Sequence, residues 1–551
     1  MKRRDFLRLQ RPQFRGPAVL RPSGQLSSGL EPYTGPWALP QAAHLLRRTM
    51  FGAKQEDVQE ALARTLDEAV DELLSTDPIP APPVVDYNGP DVTDPYSAAG
   101  ETWVDDPIDN QYDGYRIQSL KGWWVRQILE QPRTIEQKMI LFWHNHVPIQ
   151  FIEVFVGRWD YRYWETLREN ALGNIRSLIR ALTLDPAMLH YLNGQYNSVG
   201  APDENYAREL QELFCIGKGP NAAFTEEDVR AAARILTGWR VNYSNLDEVV
   251  FTPAFHDTED KQFSEFYHGT LISGRAGLAG AEELDDLLEM IFDNNETALF
   301  LARRLYRFFV SDLIDATVEA NVIEPLAELL RDNDYEVLPA LSTLFRSQHF
   351  FDALTLGVMI KSPTDFVLGI FRELRMTLPD PSDLASRYQI AGTLNYVNMV
   401  LQQDLGDPPN VAGWPAYYQL PQYDKNWINT DTLPRRGEVL AWFLYAGIST
   451  QGNAYNSIID VVGIVDRFQN PEDPNDLIAA AADWLFGLPP SPAFSASLKS
   501  ILLSGQSDDT YWTVAWLEYK SSGSPMDYQT VYSRLQSFFY FLLNAEEHQL
   551  A

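Results

Sequence analysis

The sequence predicts an all-α protein, a large multi-helical globule with long irregular loops, and three observations predict it. From Trp37 onward apolar residues recur at steps of three and four, the period of one helix face: Leu301, Leu305 and Phe308 with Phe309 in one segment, Val229, Ala233 and Leu236 in another. Helix-start signals precede such segments, Thr225 with Asp228 and Thr134 with Gln137. In each, a hydroxyl is placed to accept from first-turn amides while the later side chain reaches back. Alternation of period two between Asn-Gly or Asp-Gly turns is largely missing, and Asn88-Gly89-Pro90 lies in a Pro- and Asp-rich stretch.

Residues 1–36 read as a basic arm. It opens with Lys2-Arg3-Arg4-Asp5-Phe6-Leu7-Arg8, close to a twin-arginine export motif, but Gln10 to Arg15 stands where an apolar segment of roughly 7 to 15 residues should follow. A mobile basic arm and an uncleaved or vestigial export tag are both open readings, and localisation leans toward the periplasm or export. Residues 37–551 read as one large helical domain with an acidic, Pro-rich insertion near 77–114 and a loop near 242–280. Loops beyond about 12 to 15 residues tend to be functional or disordered, so the second is expected over a site. No run nears the roughly 18 apolar residues of a transmembrane segment.

The 44 Lys and Arg face 75 Asp and Glu, a formal net charge of −31, which argues against nucleic acid or an anionic membrane as the main partner. Cys215 is the single cysteine, so neither an intrachain disulfide nor a thiolate metal cluster can form.

Four clusters carry candidate chemistry. In an unbroken helix from Ile135, His146 shares a face with Met139 and Phe142 while His144 points away; Pro148 disfavours helix at Val147, and an extended exit would bring both imidazoles to one side. There they could ligate one metal ion or move protons. The alternative makes His146 a core residue and His144 a helix-end cation. Along Glu204 to Phe214, the residues Asn205, Arg208, Glu209 and Glu212 form one stripe, with Glu209 and Glu212 a turn apart as metal-binding carboxylates are; an ordinary salt-bridged face built on Glu204 and Arg208 is the plainer reading. His256, Asp257 and Lys261 place an imidazole, a carboxylate and an ammonium in the long loop, a set that can do acid–base work. His44 and Arg48, one turn apart, suit an anion or the support of buried carboxylates, and Trp414 in Pro408 to Pro415 suits packing or a substrate platform. Phosphate-binding loops, nucleophile elbows, His-Glu-x-x-His and calcium loops do not occur.

These blocks resemble a bacterial family, that of domain of unknown function 1800. The resemblance is carried by His44 to Gly52, Lys138 to His146, Glu204 to Leu210, Phe224 to Trp239, the His256 to Lys261 loop, Lys361-Ser362-Pro363 and Pro408 to Pro415. It implies a helical, often exported protein whose gene neighbours those of the domain of unknown function 1501 family, itself similar to sulfatases, and hence a protein partner of that kind; it implies no reaction. Val147, Gln402, Gly406 and Asn544 to Glu547 depart from the family pattern, Gln402 standing for a glycine and Gly406 for an aromatic.

The expected centre joins His144, His146, Glu209 and Glu212 around a divalent transition metal, with His144, His256, Asp257 and Lys261 catalytic and His44, Arg48, Glu204, Asn205, Arg208 and Trp414 binding. A hydrolytic or oxidative step on a cell-surface or extracellular compound is the expected reaction class. The rival expectation is a scaffold or partner-binding protein in which the same residues form a buried network neutralised by Arg48, Arg208 and Lys261.

Overall fold

The structure is a computed structural model that describes residues 26–243, 248–487 and 489–551. The twin-arginine-like motif at Lys2 to Arg8 lies outside the described residues. The chain is mainly helical. It is not helical throughout, because three two-stranded antiparallel ribbons also form, the first two pairing Trp239–Val241 with Val249–Phe251 and Lys261–Gln262 with Leu271–Ile272. Both interrupt the stretch expected to be an irregular loop, and at two or three residues per strand they leave almost no alternating pattern to read. Among the described residues no helix is long and apolar enough to cross a membrane.

The part of the fold that positions the site is a layer of three helices, Asp113–Glu130, Glu136–His146 and Gly157–Glu169, with Leu384–Val400 packed on the first. Gly122 allows that approach, since a Cβ there would come within 3.3 Å of the Tyr388 ring. Indoles fill the layer. Trp123, Trp124, Trp143, Trp159 and Trp164 are all buried, and Trp123 meets Trp164 edge to face at 4.6 Å between centroids. Each such side chain contributes on the order of 2–3 kcal/mol of burial, with edge-to-face geometry adding about 1 kcal/mol.

One start signal is realised and one is not. Thr225 and Asp228 form the capping box of Glu226–Ile235. Thr134 instead spends its hydroxyl on Asp77, 57 residues away, and the following helix begins at Glu136 without a side-chain cap. The 77–114 insertion is largely non-helical but tied down: Arg116, fully buried, donates to Asp94 and to the Pro107 carbonyl.

Candidate functional site

The helix carrying the paired histidines runs unbroken through His146, and only Val147 leaves helical angles. Side chains two apart on a helix diverge by about 200°, so the extended exit expected from Pro148 does not form and the two imidazoles part company. His144 enters a ring of aromatics, with Trp124, Phe151, Tyr163 and Trp414 at 5.4–5.7 Å between centroids. His146 packs flat against Phe142 and turns to Phe214 and Arg304.

Hydrogen bonding sets the two apart. The Nε2–H of His146 donates to the Phe214 carbonyl at 2.8 Å and its Nδ1 accepts from Arg304 Nε at 3.3 Å, which uses both nitrogens. For His144, Tyr163 gives its one hydroxyl proton to the Val147 carbonyl at 2.7 Å, so the 3.2 Å contact between Tyr163 Oη and His144 Nδ1 requires the imidazole to donate. That assigns the Nδ1–H tautomer and leaves Nε2 with a bare lone pair. Nε2 is buried and has no partner among the described residues. Burial, aided by the charge of Lys121, pushes the His144 imidazole down to about 3; for His146 burial and then Arg304 do the same.

Sequence reasoning missed four charged residues that complete this centre. Lys121, on the buried face of Asp113–Glu130, donates to Asp404 at 2.9 Å and to Asp407. Asp404 also accepts from Asn395 Nδ2, and Asp407 from the Ile152 amide. Asp160 is fully buried one turn before Tyr163, and neither of its carboxyl oxygens has a partner among the described residues. Burial, then the negative charges of Asp407, Asp113 and Asp185, hold its pKa well above the usual carboxylate range against the pull of Lys121. The direction favours the protonated form of Asp160, which is a donor as well as an acceptor. A signal for Lys121 and Asp160 did exist, since each is a charged residue among apolar neighbours at helical spacing, Ile117, Leu120 and Trp124 around Lys121, Tyr163 and Trp164 after Asp160.

The Pro408 to Pro415 block closes over this centre. Asn145, between the two histidines, accepts from the Trp414 amide at 2.9 Å. Gly413 lies at φ +87°, where a Cβ would strike the Asn145 carbonyl oxygen, so the close approach needs glycine. Asp404, Asp407 and the buried Trp414 form one wall of an open cleft of about 490 Å³. Behind the cleft, Trp414 leads to His144 and the two carboxylates lead to Lys121, with Asp160 within electrostatic reach of both Lys121 and Asp407.

The other sequence candidates lie elsewhere and are bonded differently. Arg208 pairs with Glu204 at 3.0 Å, with Glu226 at 2.7 Å and more loosely with Glu212, while Glu212 also meets Lys218. Asn205 gives its backbone amide to Asp203. Glu209 keeps one buried oxygen unpartnered, and burial raises its pKa. The helix passes into π geometry over Leu210–Cys215. Glu209 and Asp407 both lie within electrostatic reach of Tyr191, whose hydroxyl donates to Gln150, which brings Glu209 to the border of the centre.

His256 faces the Thr237 carbonyl at 3.0 Å and Glu283 at 3.1 Å, Asp257 takes two bonds from Arg234, and Lys261 donates to Glu283 at 2.6 Å. Burial would push the Glu283 carboxyl up, but the bonds from His256, Lys261 and the Arg275 amide win and hold it down. This set staples the ribbons to the Glu283–Asp293 helix. Arg48 caps a helix end, donating to the carbonyls of Phe308 and Phe309 at 2.7 and 2.9 Å. His44 is buried against Phe350 with its Nε2 unpartnered, pushed down to about 3 by burial and by Arg48.

The four expected metal ligands are not brought to one point. His144 and His146 diverge, His146 has no free lone pair, and Glu212 is taken by Arg208 and Lys218. Among the described residues no group of three or more His, Cys, Asp or Glu is disposed to hold a metal ion.

Compared with known families, residues 44–549 match the model described as "Protein of unknown function (DUF1800)". No curated protein and no solved structure matches.

Proposed function

We propose that this chain, which belongs to the DUF1800 family of proteins of unknown function, is an enzyme that binds a polar compound in the cleft beside Asp404, Asp407 and Trp414 and works on it by proton transfer. One observation carries the reading. His144 Nε2 and both oxygens of Asp160 are buried without partners among the described residues, as His44 Nε2 and the His548 nitrogens also are, but only His144 and Asp160 gather around one ammonium, that of Lys121, which binds the two cleft carboxylates. An unmet buried polar group costs about 1–3 kcal/mol, and such costs are retained where function needs them.

The roles follow from protonation. A protonated Asp160 can give a proton and His144 Nε2 can take one, while Lys121 holds Asp404 and Asp407 in place as acceptors beside the cleft. Trp414 stands between cleft and imidazole, so contact between the bound compound and His144 requires the indole to shift, which its loop attachment through Gly413 and Asn145 permits or blocks. A cell-surface or extracellular substrate, and a partner resembling the domain of unknown function 1501 family, complete the reading; fractionation that finds all of the native protein in the cytoplasm would contradict that part of it.

The test compares Asp160→Asn with Glu283→Gln in thermal unfolding. Asp160→Asn should leave Tm unchanged or raise it, because no native bond is lost, while Glu283→Gln should lower it by weakening the bonds to His256 and Lys261. A fall in Tm for Asp160→Asn as large as that for Glu283→Gln would show the centre to be structural. The satisfied networks at Arg48, Arg208 and Lys261 favour a scaffold role for those residues, and that role is compatible with either outcome.

A further inference from the structure

The cleft has a chemical character of its own. Beyond Asp404 and Asp407, its polar lining is four amides, Gln402, Gln419, Asn426 and Asn429, and its apolar lining includes the indoles of Trp414 and Trp427. Among the described residues no cationic side chain lines it; Lys121 lies behind the two carboxylates and spends its ammonium on them. An anionic ligand would meet two carboxylates with one ammonium behind them and be repelled. Amides offer donors and acceptors together, as adjacent hydroxyl groups require, and the apolar part of the lining suits the C–H faces of a sugar ring. Asn426 Nδ2 is buried without a partner on the protein.

Gln402 adds an independent observation. It follows the Leu384–Val400 helix at φ +79°, in the left-handed region that favours glycine. The turn is a Schellman closure, with Gln402 N–H donating to the Met399 carbonyl and Gln403 N–H to the Asn398 carbonyl, each at 2.9 Å. Glycine would make the same turn without strain. What glutamine adds is an amide on the cleft, whose oxygen accepts from Asn429 Nδ2 at 3.3 Å and whose nitrogen has no bond on the protein. Strain kept at a residue that lines a site points to use of its side chain.

We infer that the cleft takes a neutral, hydroxyl-rich ligand, a sugar ring or short oligosaccharide, with Gln402 as a specificity determinant held there against backbone strain; this rests on the cleft reading above and deepens it. The test is calorimetric titration of the full chain with neutral di- and trisaccharides built on glucose, galactose and N-acetylglucosamine, with their sulfated counterparts, and with spermidine. At least one neutral sugar should bind, its sulfated form should bind at least tenfold more weakly, and spermidine should not compete. Gln402→Gly should weaken the sugar about tenfold while raising Tm by about 1 °C, since strain is relieved. Absence of binding by every neutral sugar, preference for the sulfated form or for spermidine, or unchanged affinity in Gln402→Gly would overturn the inference. The Asp160→Asn melting result is read separately: an unchanged or raised Tm with no sugar bound would sink the carbohydrate assignment and leave the proton-transfer centre standing.

Discussion

The two histidines of one short motif do different work, and the difference is a matter of which nitrogens are spent. Replacing His146 by Phe strips the partner from the buried Phe214 carbonyl and one of the bonds of Arg304, and should destabilise by about 1–3 kcal/mol. His144→Phe forfeits only the bond to Tyr163, whose hydroxyl keeps Val147, so its loss should be smaller. Chemical denaturation of both variants checks the order; equal losses would mean that His144 is held as firmly as His146. A second consequence concerns pH. Asp185 caps Pro186–Tyr191 by accepting from Ala187 and Met188, and burial pushes its carboxyl up to about 7. Folded Asp185 therefore holds a proton that the unfolded chain releases near 4, so its contribution is complete at low pH and is lost as pH rises toward 7. Between pH 4 and 7 the stability of the wild type should fall more steeply than that of Asp185→Asn, by about 1.4 kcal/mol per pH unit. Parallel slopes would contradict the assignment.

At the scale of elements, the site depends on one loop meeting one helix. Gly413→Ala adds a methyl where the Asn145 backbone already stands and at a φ that alanine rarely adopts. It should displace Trp414 from His144, lowering stability by about 2 kcal/mol or more and shifting Trp fluorescence; an unaltered spectrum and Tm would show that the loop is not anchored there. The same junction shows what a sequence can and cannot disclose. Periodicity reveals the helix to His146, and Asn145 stands in plain view between the histidines, yet its partner Trp414 is 269 residues away. Thr134 looks like a cap until Asp77 claims its hydroxyl from across the fold. Lys121, Asp160, Asp404 and Asp407 went unnoticed because lone charges are common on helices, and only burial distinguishes these; the helical pattern could have flagged Lys121 and Asp160, whereas nothing local marks the two loop carboxylates. Glu283 was invisible for the same reason, being one acid in an acidic helix start.

Over the whole molecule, the net charge of −31 coexists with neutral or balanced interior centres. Arg116 answers Asp94, Lys261 answers Glu283, Lys121 offsets one of the two charges of Asp404 and Asp407, and burial favours the protonated form of Asp160. The excess acid is thus left to the surface, where it favours solubility and disfavours polyanions. The fold class was legible because hydrophobic period is a local property, and the site was legible only at His144 and Trp414 because the rest is assembled from segments far apart in the chain. The proton-transfer reading turns on Asp160 keeping its proton. The most direct measurement is the carboxyl stretching region of the infrared spectrum at pH 7, taken as the difference between wild type and Asp160→Asn. A protonated carboxylic acid band present in the wild type and missing from the variant is the expected result; a difference spectrum showing only ionised carboxylate would contradict it.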